Sequence, residues 1–234
     1  MDLIGTFFNW DVLVRSFPML VRGVGNTILL GCVSIVFGGI GGLFVCLMRL
    51  YGPRPVRLLA IGYIDILRAM PILVLLILIY YALPFVGIRF TSFTSATLAL
   101  SLVLSAFTAE VCRAGIEAVP KGQFEAAAAL GLPFWRTMGT VILPQALRLV
   151  VPPLTSNCVS IYKDTALASV VAVPDLLKQA TDAQALMANP TPLIGAALIY
   201  LAFLWPLVRL VNHLEGRGRT QPARGHFRTR GRKT

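Results

Sequence analysis

Charge is scarce in this chain, and side chains that carry chemistry are scarcer. Of its 234 residues only 13% are Asp, Glu, Lys or Arg, against about a quarter in an ordinary soluble domain. Histidine occurs twice, at His213 and His226, both in the C-terminal region, so no pair of imidazoles stands three or four residues apart to grip a metal. HExxH, GxSxG and the phosphate-cradling GxxxxGK[ST] loop are all missing. An enzyme would therefore have neither an activated nucleophile nor a catalytic metal nor its own nucleotide-hydrolysing loop. The four cysteines, Cys32, Cys46, Cys112 and Cys158, sit in or beside apolar runs without CxxC spacing and read as small hydrophobes. "GGIGG" (Gly38 to Gly42) has neither a strand before it nor an acid about 20 residues on, so it reads as a small-xxx-small helix contact and not as a nucleotide fingerprint.

What the chain has in abundance is oil. Hydrophobic residues make up 56% and the mean hydropathy is +0.77. Four charge-free runs, Gly23 to Met48, Ala69 to Ile88, Phe90 to Ala109 and Ala183 to Val208, reach or exceed the roughly 20 residues that cross a hydrocarbon core of about 30 Å. A further span, fourth in chain order, is expected from Leu149 to Tyr162, interrupted by Pro152-Pro153 and continuing through Lys163-Asp164 into "TALASVVAVP". The expected fold is an all-α polytopic membrane protein of about five transmembrane helices. The N-terminal "FFNWDVLVRSFPML" reads as an interfacial helix and not as a removed signal.

Basic residues set the orientation. With five spans and the N-terminus outside, fifteen Lys and Arg fall inside, from Arg49 through Arg148 and then from Arg209 to Lys233. Outside lie Arg15, Arg22, Arg89, Lys163 and Lys178, with Arg68 at the inner edge of the second span. The positive-inside rule selects N-out, C-in. Residues 1–215 then form the transmembrane domain, and 216–234 a basic, disordered cytoplasmic tail. The tail follows a span directly, so it reads as a topology anchor drawn to anionic membrane lipid, with no nucleic acid as partner.

Polar groups inside an apolar span need a reason to be there. Asn157, Ser160, Ile161 and Asp164 fall at i, i+3, i+4 and i+7, which puts three polar groups on one helical face near mid-membrane. They are candidates for a substrate path, with Asp164 alternatively half of an ion pair with Lys163 or Arg68. Asp65 and Arg68, three apart, either belong to the path or neutralise each other. Glu110, Arg113 and Glu117 form a ladder at the inner end of the third span that braces the following loop.

That loop contains "EAAAALGLPFWRTMGTVILPQALR" (Glu125 to Arg148). Strong helix formers lead to Gly131, which suits a left-handed helix end, and to Pro133, which starts the next helix. A small-faced helix of this kind suits insertion into a groove on another protein.

"EAAAALG" followed by "VILPQALR" resembles the EAA loop of ABC importer membrane subunits. "RAMPILVLLILIYYALP", "AEVCRAGIEAVPKGQFEAAAALG", "VILPQALRLVVPPL" and "KDTALASVV" extend the resemblance to the polar amino-acid branch, over roughly residues 10 to 215. The resemblance implies a type I importer permease fold, with a cytoplasmic coupling helix in a loop of about residues 117–145 and Glu125, Ala126, Ala127 and Gly131 at the ATPase contact. It also implies partners: two ATPase subunits that use ATP and Mg, a second permease subunit, same or paralogous, and an external solute-binding protein. The chain itself would hold no cofactor and no metal. Its setting would be the bacterial inner membrane, and its task the translocation of polar amino acids by alternating access. Two positions depart from the family pattern: Ala128 where an arginine is common, and "RAMP" where "RGTP" is common. The alternative class is a non-transporting auxiliary subunit or scaffold, separated from a permease by whether an ATPase co-purifies and ligand crosses a sealed bilayer.

Overall fold

The structure, a computed structural model, describes residues 7–218, with side chains through residue 213; the expected tail from residue 219 onward lies outside them. Helices follow one another throughout, and no strand occurs among the described residues. Helix α1 runs unbroken over Trp10–Tyr51. Its 42 residues reach about 63 Å at 1.5 Å per residue. The stretch expected as a separate interfacial helix is therefore the start of α1. Asn9 caps it by accepting from the Val12 N–H at 3.2 Å, Asp11 complements the dipole of the first turn, and Pro18 is absorbed within the helix.

The buried stripe of α1 is made of small residues, Ser16, Gly23, Thr27, Gly31, Ser34, Gly38 and Gly42 among them. Phe17, Val21, Phe37 and Phe44 point outward on the other side. This inverts the soluble pattern, as expected where lipid rewards large side chains and close helix approach needs small ones. The stripe receives α4, Ser92–Glu117, which Thr91 caps by accepting from the Thr94 N–H. A Cβ at Gly38 would stand 2.8 Å from Leu104, and one at Gly42 2.5 Å from Thr108 and 2.7 Å from the Ser105 carbonyl oxygen. The Gly38–Gly42 spacing is thus a helix contact.

Between α1 and α4 the chain forms α2, Arg54–Ala69, and α3, Ile72–Ile77. A π turn at Leu78–Ala82 and a 3-10 turn at Leu83–Val86 continue α3. The chain bends by 104° between the arms on either side of Met70–Pro71. Pro71 has no N–H to continue the ladder and pushes Met70 into extended geometry, φ −87° and ψ 129°. The run expected from Ala69 to Ile88 is thus broken near its start, and the apolar arm begins at Ile72.

After α4 come α5, Lys121–Ala129, the short α6, Phe134–Arg136, a π turn at Thr137–Ile142, and α7, Leu143–Asp164. The chain then tightens into a 3-10 turn, Thr165–Val171, followed by α8, Leu176–Met187, and α9, Thr191–Gly218. The run Ala183 to Val208, expected as one span, is split. Ala188 adopts left-handed geometry (φ 47°), Pro190 follows, and the Asn189 side chain accepts from the Thr191 N–H at 2.9 Å.

Among the described residues three helices are long and apolar enough to cross a membrane, α1, α4 and α9 over Thr191–His213, with the bent α2–α3 pair a fourth if counted as one broken span. Helix α7, the remaining member of the five-span expectation, has 22 residues and so about 33 Å of length, but not the hydropathy. Its prolines and polar face dilute it, and that face lines the site.

Candidate functional site: a cavity at a broken helix

Where α2 breaks, a cavity of about 330 Å³ opens between the break, α4 and α7. Arg68, Met70, Pro71 and Ile72 come from the break, Val103, Leu104 and Phe107 from α4, and Asn157, Ser160, Ile161 and Asp164 from α7. Its volume is at the low end of the roughly 300–1,000 Å³ of ligand clefts, matched to a small molecule. Irregular backbone at membrane depth is tolerated where it lines such a space, because water or ligand can satisfy the freed groups.

The structure brings together four of the five path candidates. Asn157, Ser160 and Asp164 share the wall given by α7, as their spacing predicts, and Arg68 stands at the break. Among the described residues the Asn157 Nδ2 is buried with no hydrogen-bond partner, an arrangement that costs free energy. Asp65 is exposed and outside the cavity lining. It does not neutralise Arg68, whose Nη1 lies 3.9 Å from Glu110 instead. Among the described residues Asp164 pairs with neither Lys163 nor Arg68.

Glu110 does more than brace a loop. Its Oε2 accepts from Arg49 of α1 at 2.6 Å and its Oε1 from Arg113 at 2.5 Å, while Arg113 also reaches Glu117. One carboxylate thus ties α1 to α4 and touches α2. The ladder Glu110, Arg113 and Glu117 was legible from i, i+3, i+7 spacing. Arg49 was not, because its separation of 61 residues from Glu110 leaves no local pattern. Phe107, whose ring lies under the Arg68 guanidinium at 5.5 Å, was missed for the same reason.

The second candidate region is α5. The expected helix, turn and helix are there, and Gly131 (φ 69°) closes α5. The Leu132 N–H returns to the Ala127 carbonyl at 3.1 Å and the Gly131 N–H to that of Ala128 at 2.9 Å, the paired bonds of a Schellman end. Glu125, Ala126 and Gly131 are exposed. Ala127 is only 3% exposed and faces the chain's own interior, so it is not on the outward surface with the other three. Leu130 and Trp135, 79% and 83% exposed, flank the outward face and make it more apolar than its alanines alone announce. No cluster of three or more metal-ligating side chains occurs among the described residues.

A bundle with a cavity at a broken helix that carries a few polar groups, and with a short alanine-rich helix projecting from one loop, has the build of a multi-pass membrane transport subunit. The chain belongs to the family of binding-protein-dependent transport system inner membrane components, whose pattern it matches over residues 34–220. It is similar to the L-cystine transport system permease protein TcyB of Bacillus subtilis (strain 168), 38% identical over 90% of this chain and 91% of that protein. It is also similar to the arginine transport system permease protein ArtQ of the same organism, 33% identical over 82% of this chain and 89% of the relative. Among solved structures, the crystal structure of an amino acid ABC transporter with histidines superposes with a TM-score of 0.84 at 34% identity, covering 89% of this chain and 98% of that one. The inward-facing MetNI methionine ABC transporter shares the fold at a TM-score of 0.71 and 21% identity, over 86% and 96% of the two chains. The chain is an ABC importer permease subunit.

Proposed function

We propose that this permease moves polar α-amino acids across the bacterial inner membrane, and that the cavity between Arg68, Asn157, Ser160 and Asp164 is part of the path. The observation that carries the reading is chemical. One small cavity, walled mostly by apolar side chains, is also lined by an arginine, an aspartate, a serine and an asparagine. A zwitterion has the complementary groups, a carboxylate for Arg68 and an ammonium for Asp164. The names of TcyB and ArtQ, an L-cystine and an arginine permease, support an amino-acid cargo.

ATP would be hydrolysed by two separate ATPase subunits, each receiving the outward face of one α5, within the coupling loop of about residues 117–145. Movement of each docked α5 with its ATPase subunit would switch a pair of permease chains between inward and outward access, and an external binding protein would deliver the cargo. Orientation would be N-out, C-in, with residues 1–215 as the transmembrane domain and 216–234 as the tail.

Reconstitution with the ATPase and the binding protein tests this. Asp164→Asn and Asn157→Ala should each weaken amino-acid binding about tenfold or change selectivity, the scale of one charge-assisted hydrogen bond, while the subunits still co-purify. Unchanged binding and selectivity in both variants would assign the polar wall to structure. Co-purification of an ATPase with no amino acid crossing the bilayer would make the chain an auxiliary subunit.

A further inference from the structure

Two opposite charges, Arg68 and Asp164, line one cavity, yet among the described residues no ion pair joins them. Arg68 is a long, flexible side chain, 41% exposed, so its position is set by what its guanidinium touches. Its guanidinium lies over the Phe107 ring, 5.5 Å from the centroid, with Nη1 3.9 Å from Glu110 Oε1. Phe107 and Glu110 are three residues apart on α4 and so present to the same side. Glu110 is in turn fixed, because Arg49 Nη1 at 2.6 Å and Arg113 Nη2 at 2.5 Å grip its two oxygens from different helices.

We infer that Glu110, which does not line the cavity, is a positioning residue for it: anchored by Arg49 and Arg113, it tethers Arg68 away from Asp164 and so keeps two separated charges available to a zwitterionic ligand. The inference rests on the reading of the cavity as the amino-acid path. Without the tether Arg68 would swing onto Asp164, and both charges would be spent on each other. The same carboxylate starts the chain of pairs that continues through Arg113 to Glu117, the last residue of α4 before the loop that carries α5. The cavity's cation is thereby braced against the segment leading to the proposed ATPase contact.

Two measurements on the purified permease–ATPase complex test this. The first is the structure of Glu110→Gln, which requires no ligand. The Arg68 guanidinium should move to within about 4 Å of the Asp164 carboxylate, ion-pair distance; Arg68 remaining over Phe107 overturns the inference. The second is equilibrium binding of radiolabelled L-α-amino acids and their α-amides. Glu110→Gln should weaken binding of the free acids about tenfold, with a smaller change for the amides, which offer Arg68 no carboxylate. Because Glu110 acts through Arg68, the Arg68→Gln/Glu110→Gln double variant should bind no more weakly than Arg68→Gln alone. Losses that multiply, or that fall equally on acids and amides, mark a purely structural role and overturn it. If Arg68→Gln alone leaves binding unchanged, the cavity reading fails, while the position of Arg68 in the first measurement still judges the tether. Should Glu110→Gln not assemble, Glu110→Asp keeps a carboxylate for Arg113 while drawing it back from Arg68, and the same outcomes decide.

Discussion

Asp175 is fully buried at the start of α8, where its carboxylate accepts from the backbone N–H groups of Lys178 at 3.0 Å and Leu177 at 3.2 Å and from the Tyr200 hydroxyl at 3.4 Å. The turn around it is latched to α1. Thr27 accepts from the Leu176 N–H at 3.0 Å, the Asn26 amide donates to the Pro174 carbonyl at 2.8 Å, and a Cβ on Gly23 would stand 2.7 Å from the Leu176 Cα. Burial pushes the Asp175 carboxyl above its ordinary range, and the hydrogen bonds offset this only in part. A carboxyl whose folded value lies above its unfolded value of about 3.9 contributes stability that is fully present below the unfolded value and is lost as pH rises through the folded one. Asn caps as well as Asp and carries no charge to desolvate. Asp175→Asn should therefore unfold at the same or a higher temperature than wild type at pH 7, with the advantage gone near pH 4. Asp175→Ala should lose about 1 kcal/mol of capping at either pH. Thermal unfolding in detergent at the two pH values reads both; an Asn variant less stable at pH 7 than at pH 4, relative to wild type, would show the anion to be the favoured form. None of this was visible in the sequence, because the burial of Asp175 depends on α1 residues about 150 positions away. Asn157, Ser160 and Asp164 were visible, because one helical period suffices to align them.

At the scale of elements, α5 shows what local sequence can and cannot announce. Its end was legible, since only glycine adopts φ 69° without strain and Gly131 stands where the alanine run stops. Its orientation was not, because which alanine turns inward depends on where Val119, Met138, Ile142 and Ala146 pack beneath the loop. A Cβ at Gly131 would have no atom of the described residues within 4 Å, so the first cost of a substitution there is about 1–2 kcal/mol of backbone strain. Gly131→Arg should accordingly insert and fold but fail to retain the ATPase subunits, with bulk and charge added at a close contact. Co-purification and ATP-driven uptake check it; wild-type values for both would remove the basis for calling α5 a coupling helix. The Met70–Pro71 break was not read from the sequence, where Ala69 to Ile88 counted as one run through Pro71; the 104° bend there and the cavity in its elbow come from packing against α4 and α7. The false continuity of Ala183 to Val208 arose because hydropathy registers composition and is blind to the turn at Ala188, Asn189 and Pro190.

At the scale of the molecule, the large side chains of α1 and α9 face outward while small ones carry the contacts, so the bundle is built for lipid around a polar interior wall. Its direction follows from charge. Arg49, Arg54 and Arg57 bracket the α1–α2 turn, and Arg113, Lys121, Arg136 and Arg148 surround the loop bearing α5. Moving that many basic residues across a bilayer is costly enough to fix orientation at insertion. The helices impose a consistency condition as well. If α1 starts outside, the Tyr51 end and the α5 loop must lie on the same inner side, because α3 and α4 form one outward excursion between them. The turn at Gly87 and helix α8 must then lie outside. Reporter fusions truncated at Tyr51 and Gly122 should give cytoplasmic signals, as should one at Gly225 beyond the described residues; fusions at Gly87 and Gln184 should give external ones. The decisive position is Gly122. An external signal there, with Tyr51 inside, would mean that α3 and α4 do not make a return crossing, and would place α5 where no ATPase could reach it.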